Sequence, residues 1–326
     1  MKILQKISQV LSKRTSVFVI FVAIAAFFVP GVFSWVQGDK QSVVLGVIMF
    51  SMGLTLTKED FKILAQRPLD IFIGAAAQFL IMPFLAYGLS MLLHLPNEIA
   101  IGLILVGSCP GGVSSNIMSY LCHGDVPFSV GMTTASTLLS PIMTPMLVLL
   151  LAGARIEVQA GAMFLSIVKS VLGPVLIGFL LNEFIGEKKA FKEIQQIMPG
   201  VSVIGLALIV GGVIALQGSH FFTSGIVIFA AVLLHNGLGY LLGYTVGRLT
   251  GMSTAKRRTI SIEVGMQNAG LATNLATAHF ASAPQAAMIS AVSCVWHSIS
   301  GTLLAGFFLY RDNKKEAGID NKTVSA

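Results

Sequence analysis

Hydrophobic residues along the chain fall into long runs that are separated by short polar segments. A helix that crosses a hydrocarbon core of roughly 30 Å needs about 20 mostly apolar residues. The runs that approach or reach this length are 16–36, 42–57, 69–93, 97–122, 127–152, 161–185, 199–216, 222–247, 258–280 and 283–310. The pattern therefore predicts an all-α polytopic membrane protein with ten transmembrane helices.

Composition supports a membrane protein and argues against several other classes. Of 326 residues, 55% are hydrophobic and only 11% are charged, whereas soluble domains carry about 25% charged residues. The formal net charge of +7 comes from basic residues between the apolar runs, so we expect membrane lipid and no nucleic acid as a partner. The three cysteines, Cys109, Cys122 and Cys294, show no disulfide or metal-site spacing.

The distribution of basic residues predicts the orientation of the spans. With ten spans and a cytoplasmic N-terminus, all but Lys40, Arg155 and Lys169 of the 21 Lys and Arg residues lie on the cytoplasmic side. This agrees with the excess of positive charge in cytoplasmic loops. We therefore predict an integral protein of the plasma membrane or bacterial inner membrane, with both termini cytoplasmic.

The spans divide into five and five, and an odd number of spans forces a repeated half to insert with opposite orientation. We predict one transmembrane domain, 1–326, with a first repeat 1–155, a second repeat 156–310 and a polar cytoplasmic tail 311–326. Such inverted repeats are common in secondary transporters.

The fourth and ninth spans each contain a polar, glycine-rich interruption, at 107–116 and 263–270. Pro110 removes a backbone donor, and the glycines beside it weaken the helix further. Because broken backbone in lipid survives only inside protein or beside a wet cavity, we expect two discontinuous helices that cross at a binding site. The alternative is a pair of kinks at tightly packed glycines.

A broken helix offers chemistry at both of its new ends. The start of the second half exposes N–H groups that favour anions, and the end of the first half exposes carbonyl oxygens that suit hard cations. The new starts fall near 112–115 and 268–270. We expect an organic anion there, with candidate binding residues Gly112, Val113, Ser114, Asn116, Asn268, Ala269 and Gly270. His297, in the tenth span, either lines the same cavity or bonds a backbone carbonyl.

Glu263 is the acidic residue that lies inside a predicted span rather than in a loop, a tail or at a span end. A carboxylate in this position is costly and indicates function. Without a partner cation it should be protonated, so it is either a proton carrier or a ligand of a bound cation. The neighbouring oxygen donors are Ser115, Asn116, Ser129, Thr133, Gln78, Gln267 and Asn268. Oxygen donors with one carboxylate favour a monovalent alkali ion.

The run Pro110-Gly111-Gly112-Val113-Ser114-Ser115-Asn116, with Gly124-Asp125-Val126, Glu263-Val264-Gly265-Met266-Gln267-Asn268 and Val295-Trp296-His297, resembles the bile acid:sodium symporter family. The resemblance implies a core domain, a panel domain and two sodium sites. The first would use Ser115, Asn116, Ser129, Thr133 and Glu263, and the second would use Gln78, Glu263, Val264, Met266 and Gln267. Val113 stands where family members often have threonine, which leaves the substrate open.

Together these features predict a sodium-coupled symporter that imports an organic anion, pantoate- or ketopantoate-like or bile-acid-like, by alternating access. No cofactor is expected besides Na⁺ as the coupling ion. The alternative is a proton-coupled anion carrier or a cation/proton antiporter with Glu263 as the titrating group. An enzyme is not expected, because the chain contains no HExxH or GxSxG motif. The sequence does not indicate an oligomeric state.

Overall fold

The computed structural model describes residues 1–218 and 221–323, and in these ranges it contains helices joined by short turns. The helices are α1 Lys2–Lys13, α2 Thr15–Phe28, α3 Gly38–Gly53, α4 Lys58–Gln66, α5 Pro68–Leu92, α6 Asn97–Ser108, α7 Ser114–Leu121, α8 Val126–Ala152, α9 Ala160–Ile167, α10 Gly173–Ile185, α11 Lys189–Gln195, α12 Met198–Gln217, α13 Phe221–Leu249, α14 Thr254–Gly265, α15 Ala269–His279 and α16 Pro284–Thr323. A π-helical turn, Val168–Leu172, joins α9 to α10.

Six helical stretches are each long and apolar enough to cross a membrane. They are Pro68–Leu92, Val126–Ala152, Ala160–Ile185, Lys189–Gln217, Ser224–Leu249 and Pro284–Lys314. Two bent helix pairs, α1 with α2 and α3 with α4, raise the number to eight if each pair is one span. The protein is therefore an all-helical, multi-pass integral membrane protein.

All ten predicted segments fall on helices, but the number of transmembrane helices stays a prediction. The segments 97–122 and 258–280 are each divided into two short helices, α6 with α7 and α14 with α15. Neither pair forms one continuous apolar helix, so length and hydropathy alone do not count them as spans.

The ends of the chain differ most from the predicted boundaries. The span predicted at 16–36 ends early, because α2 stops at Phe28 and the following Val29 precedes a proline, where helical backbone is disfavoured. The helix before it, α1, and the short helices α4 and α11 were not predicted. At the other end, α16 continues past 310 to Thr323.

The helices form two groups that face one another. In the first group, α12 packs against α1, α2 and α3, and α3 packs against α10. In the second group, α5 packs against α6, α8 and α13, while α16 packs against α6 and α15. The groups meet where α3 contacts α15 and where α12 contacts α16.

Both predicted interruptions are present, and both lie in the second group. Helix α6 ends at Ser108 and α7 begins at Ser114, while α14 ends at Gly265 and α15 begins at Ala269. The first gap contains Pro110 with two glycines, as expected from their effect on helical backbone.

Candidate functional site

The two interruptions pair with each other through their backbones. The Gly112 N–H donates to the Met266 carbonyl oxygen at 2.8 Å, and the Asn268 N–H donates to the Pro110 carbonyl oxygen at 2.8 Å. Gly111 and Gln267 form an isolated antiparallel bridge between them. Buried backbone N–H and C=O groups need hydrogen-bond partners. Where each helix ends, the other break supplies partners for these groups.

Close approach of the two breaks requires glycine. A Cβ atom on Gly112 would lie 2.8 Å from the Gln267 carbonyl oxygen, and one on Gly111 would lie 2.9 Å from the Glu263 Oε2 atom. Glycine at these positions therefore brings the first break into contact with the acidic residue of α14.

Glu263 lies in the last turn of α14, and only 1% of its surface is exposed. Three hydroxyl groups donate to its carboxylate: Ser115 to Oε1 at 2.6 Å, Thr133 to Oε2 at 2.9 Å, and Ser129 to Oε1. Among the described residues, no lysine or arginine forms an ion pair with it. A buried carboxyl group that is surrounded by neutral hydroxyls alone has no compensating positive charge, so it either carries a proton or is balanced by a bound cation.

The first predicted sodium-binding set is brought together in this cluster. Besides the bonds to Glu263, the Asn116 side-chain oxygen lies 2.8 Å from the Ser129 hydroxyl oxygen and 3.2 Å from the Thr133 hydroxyl oxygen. The residues come from α7, α8 and α14, and a hydroxyl that donates one proton keeps lone pairs for a cation. We call Ser115, Asn116, Ser129, Thr133 and Glu263 the carboxylate cluster.

The second predicted sodium-binding set lies around the end of α14, at the second break. Gln78 of α5 donates to the Cys109 carbonyl oxygen at 3.2 Å and also bonds the Gln267 side-chain oxygen. Gln267 in turn donates to the Val264 carbonyl oxygen at 2.5 Å. The Met266 carbonyl accepts the backbone bond from the first break, so all of these oxygens lie around the residues that end α14.

A cavity of about 420 Å³ extends from the breaks to the α1–α2 junction and to the bend between α3 and α4. All eight predicted substrate residues line it: Gly112, Val113, Ser114, Asn116, Asn268, Ala269, Gly270 and His297. Its apolar wall includes Met49, Met52 and Leu206, and its far end includes Ser12 and Asp60. No lysine or arginine is among the lining residues that the structure describes, so an anion here would meet helix starts and polar side chains.

Both interpretations of His297 agree with the structure, because the residue lines the cavity and also contacts a backbone carbonyl. Its Nδ1 atom lies 3.3 Å from the Gln267 carbonyl oxygen, while its Nε2 atom has no hydrogen-bond partner within residues 1–218 and 221–323. Asn268 has a second role as well, because its side-chain oxygen accepts from the Leu271 N–H at 3.0 Å and caps the start of α15.

Two supporting residues were not predicted. The Ser136 hydroxyl accepts from the Gly111 N–H at 3.3 Å, and Asn236 of α13 donates to the carbonyl oxygen of Gly265, the last residue of α14, at 2.7 Å. Ser136 could have been found, because it follows Ser129 and Thr133 at helical spacing on one face of α8. Asn236 carries no such signal, since it reaches the break from another span.

Comparison with known proteins places the chain among transporters. The model of the sodium bile acid symporter family matches residues 42–224. A Bacillus subtilis (strain 168) protein named "Uncharacterized sodium-dependent transporter YocS" is 43% identical over 325 residues, which is 100% of both chains. An Arabidopsis thaliana protein named "Probable sodium/metabolite cotransporter BASS1, chloroplastic" is 44% identical over 280 residues, 86% of this chain and 69% of the relative. An Oryza sativa subsp. japonica protein named "Probable sodium/metabolite cotransporter BASS2, chloroplastic" is 37% identical over 307 residues, 94% and 73% of the two chains.

Proposed function

The chain belongs to the sodium bile acid symporter family, and we propose on that basis that it is a symporter that uses the Na⁺ gradient to import a small organic anion. Members of this family are transporters rather than enzymes, and the relatives are named as sodium-dependent transporters or sodium/metabolite cotransporters. The observation that carries the proposal is the buried carboxylate cluster, which directly adjoins both backbone breaks and the cavity.

Two Na⁺ ions bind at the paired breaks in this proposal. The first is held by the carboxylate cluster, and the second by Gln78, Gln267, Glu263 and the backbone carbonyls of Val264 and Met266. Carboxylate, hydroxyl, amide and carbonyl oxygens suit a hard ion, and one carboxylate matches a monovalent ion that must be released in every cycle. In the alternative, Glu263 carries a proton instead of binding Na⁺. Protonation does not require the surrounding oxygen donors to be held in a fixed arrangement.

The anion binds in the 420 Å³ cavity. Its carboxylate faces the starts of α7 and α15, where the helix dipoles favour negative charge. Its apolar part packs against Met49, Met52 and Leu206. A pantoate- or ketopantoate-like acid fits this division into a charged and an apolar end, and a bile-acid-like anion is the larger candidate.

Transport follows alternating access between the two helix groups. We propose that the ten predicted spans form a five-plus-five inverted repeat, 1–155 and 156–310, with a polar tail 311–326. The group around α12 is the panel, the group with the two broken helices is the core, and rocking between them moves the cavity opening across the membrane. With cytoplasmic termini in a plasma or bacterial inner membrane, the end of the cavity near Ser12 and Asp60 would lie toward the cytoplasm.

Sodium binding would organise the substrate site, because the same breaks form both. The Glu263 cluster holds α7 against α14, and the start of α7 is one wall of the anion site. Two Na⁺ with one monovalent anion would carry net charge inward, which is worth about 2.3 kcal/mol per charge at 100 mV. Uptake should therefore respond to membrane potential as well as to the Na⁺ gradient.

The test is uptake of radiolabelled pantoate, ketopantoate and taurocholate into proteoliposomes, with an inward Na⁺ gradient or with K⁺ replacing Na⁺. Sodium-dependent uptake of one of them is expected, and Glu263→Ala should abolish it. Glu59→Ala is the matched control, because it removes an exposed acidic residue outside the cluster. Full uptake by Glu263→Ala would contradict the ion site, and uptake driven by pH without a sodium effect would support the proton-coupled alternative.

A further inference from the structure

The first helix of the chain has a geometry that the transport cycle does not explain. Helix α1 is bent by 85° from α2, with which it forms one candidate membrane-crossing pair. If α2 crosses the bilayer, α1 runs roughly parallel to the membrane plane. A helix in this position lies at the boundary between lipid headgroups and acyl chains.

One face of α1 is apolar and turned away from the protein. Ile3, Leu4, Ile7 and Val10 are 75%, 51%, 49% and 57% exposed, and their spacing of three and four residues places them side by side on the helix. No helix in the described part of the chain covers this face. An exposed apolar row of this size indicates a partner surface.

The other side of α1 is fixed to the protein by Ser8. Its hydroxyl oxygen lies 3.1 Å from both the Gln196 and Ile197 carbonyl oxygens, and it accepts from the Gly200 N–H at 3.0 Å. A Cβ atom on Gly200 would lie 2.7 Å from the Ser8 Cα, so the two helices touch closely. The orientation of the apolar row is therefore set by packing against α12.

Basic residues form a second row along one flank of the apolar face. Lys2, Lys6 and Lys13 are all exposed, and at 3.6 residues per turn they project from nearly the same side of the helix. Arg14 follows directly, and the sequence contains no acidic residue before Asp39. The flank carries unbalanced positive charge beside an apolar face, the combination that binds anionic lipid.

We propose that α1 is a binding site for anionic phospholipids, with its apolar row among the acyl chains and Lys2, Lys6 and Lys13 on the headgroup phosphates. The same helix borders the transport cavity, because Ser12, in its last turn, is one of the lining residues. Lipid that holds α1 at the membrane surface thereby holds the part of the cavity wall that contains Ser12. The link between bound lipid and the cavity rests on the proposed function, whereas the lipid contact itself does not.

The lipid contact is measured with a fluorophore on Ile7→Cys. The native cysteines, Cys109, Cys122 and Cys294, are buried, so the introduced thiol is labelled selectively. The protein is reconstituted in phosphatidylcholine vesicles that contain either brominated phosphatidylglycerol or brominated phosphatidylcholine at equal fraction. Quenching by the brominated phosphatidylglycerol should be at least about twofold stronger.

Two multiple variants on the labelled background separate the proposal from a general charge effect. Lys2→Gln/Lys6→Gln/Lys13→Gln should remove the preference for phosphatidylglycerol, while Lys188→Gln/Lys189→Gln/Lys192→Gln, which removes equal charge elsewhere, should retain it. Unchanged melting temperatures show that both variants fold. Equal quenching by the two lipids in the parent protein, or a preference that survives the α1 substitutions, would overturn the proposal.

Sodium-driven uptake in the same vesicles tests the link to the cavity. Uptake by the parent protein should be several-fold faster with phosphatidylglycerol than without it, and the α1 variant should lose this difference. If the lipid preference is observed and uptake does not depend on phosphatidylglycerol, the link between α1 and the cavity is wrong. Failure of all uptake, with the quenching preference intact, would contradict the proposed function alone.

Discussion

Gly111→Ala tests whether the carboxylate cluster binds sodium, without removing any of its oxygen donors. The new methyl carbon would lie 2.9 Å from the Glu263 Oε2 atom and 3.7 Å from the Ser136 Oγ atom. Because Gly111 does not have a positive φ, alanine strains the contact and not the backbone. The carboxylate must move by about half an ångström to reach an ordinary van der Waals separation.

The expected loss of Na⁺ affinity follows from the hydrogen bond to Glu263 that such a movement lengthens. Thr133 donates to the same Oε2 atom at 2.9 Å, and a shift of this size along the bond lengthens it to about 3.4 Å, outside the usual O–H···O range of about 2.5–3.0 Å. Hydrogen bonds to charged groups contribute about 1.5–3 kcal/mol. If the carboxylate can no longer hold its place beside Thr133 and the ion, Na⁺ affinity falls by about 10- to 100-fold, since each 1.4 kcal/mol is tenfold.

The assay is thermal unfolding of the purified protein over a Na⁺ titration, with choline chloride holding ionic strength constant. At a Na⁺ concentration about 100 times the parent dissociation constant, binding stabilises the parent protein by about 2.7 kcal/mol. For the variant, the same relation gives about 0.4–1.4 kcal/mol. Gly237→Ala is the matched control, because its Cβ would meet nothing within 4 Å. Equal sodium midpoints for Gly111→Ala and the parent would refute the reasoning.

Three further substitutions separate the two ion sites and the substrate site. Ser115→Ala removes the 2.6 Å bond to Glu263 and should lower Na⁺ affinity about tenfold in the same titration, whereas Ser140→Ala, whose hydroxyl bonds its own helix, should not. Gln78→Leu removes a proposed ligand of the second ion only, so the Na⁺ dependence of uptake should become less steep, and an unchanged Hill coefficient would count against a second ion there. Val113→Thr adds a hydroxyl to the cavity wall and should change the ratio of uptake rates between anions, and an identical ratio would remove Val113 from the substrate site.

Local sequence patterns were enough to locate the long apolar helices but not the short helices α1, α4 and α11. Apolar runs such as 127–152 coincide with α8, Val126–Ala152, because lipid requires a continuous apolar helix. Helix α4 is short and polar, and its start depends on a capping box between Thr57 and Asp60. A search for apolar runs does not detect such a helix, and it misses α1 as well, because the first apolar run begins at residue 16.

The site was predictable where a residue type is costly in lipid. Glu263 and the breaks at Pro110 and Gly265 each violate a rule for membrane helices, so each indicated function before any contact was known. The role of Gly111 was not predictable, because it depends on a 2.9 Å approach to a side chain far away in sequence. Likewise the Asn268 cap on α15 required the local backbone geometry.

Direct sodium binding tests the central claim, that the carboxylate cluster at the paired breaks holds Na⁺. Equilibrium binding of ²²Na⁺ to purified protein is compared for the parent, Glu263→Ala and Glu59→Ala, with unlabelled Na⁺ and K⁺ as competitors. Saturable binding that Na⁺ displaces and K⁺ does not is expected for the parent and for Glu59→Ala, with loss in Glu263→Ala. Binding of equal affinity and capacity in Glu263→Ala would contradict the claim.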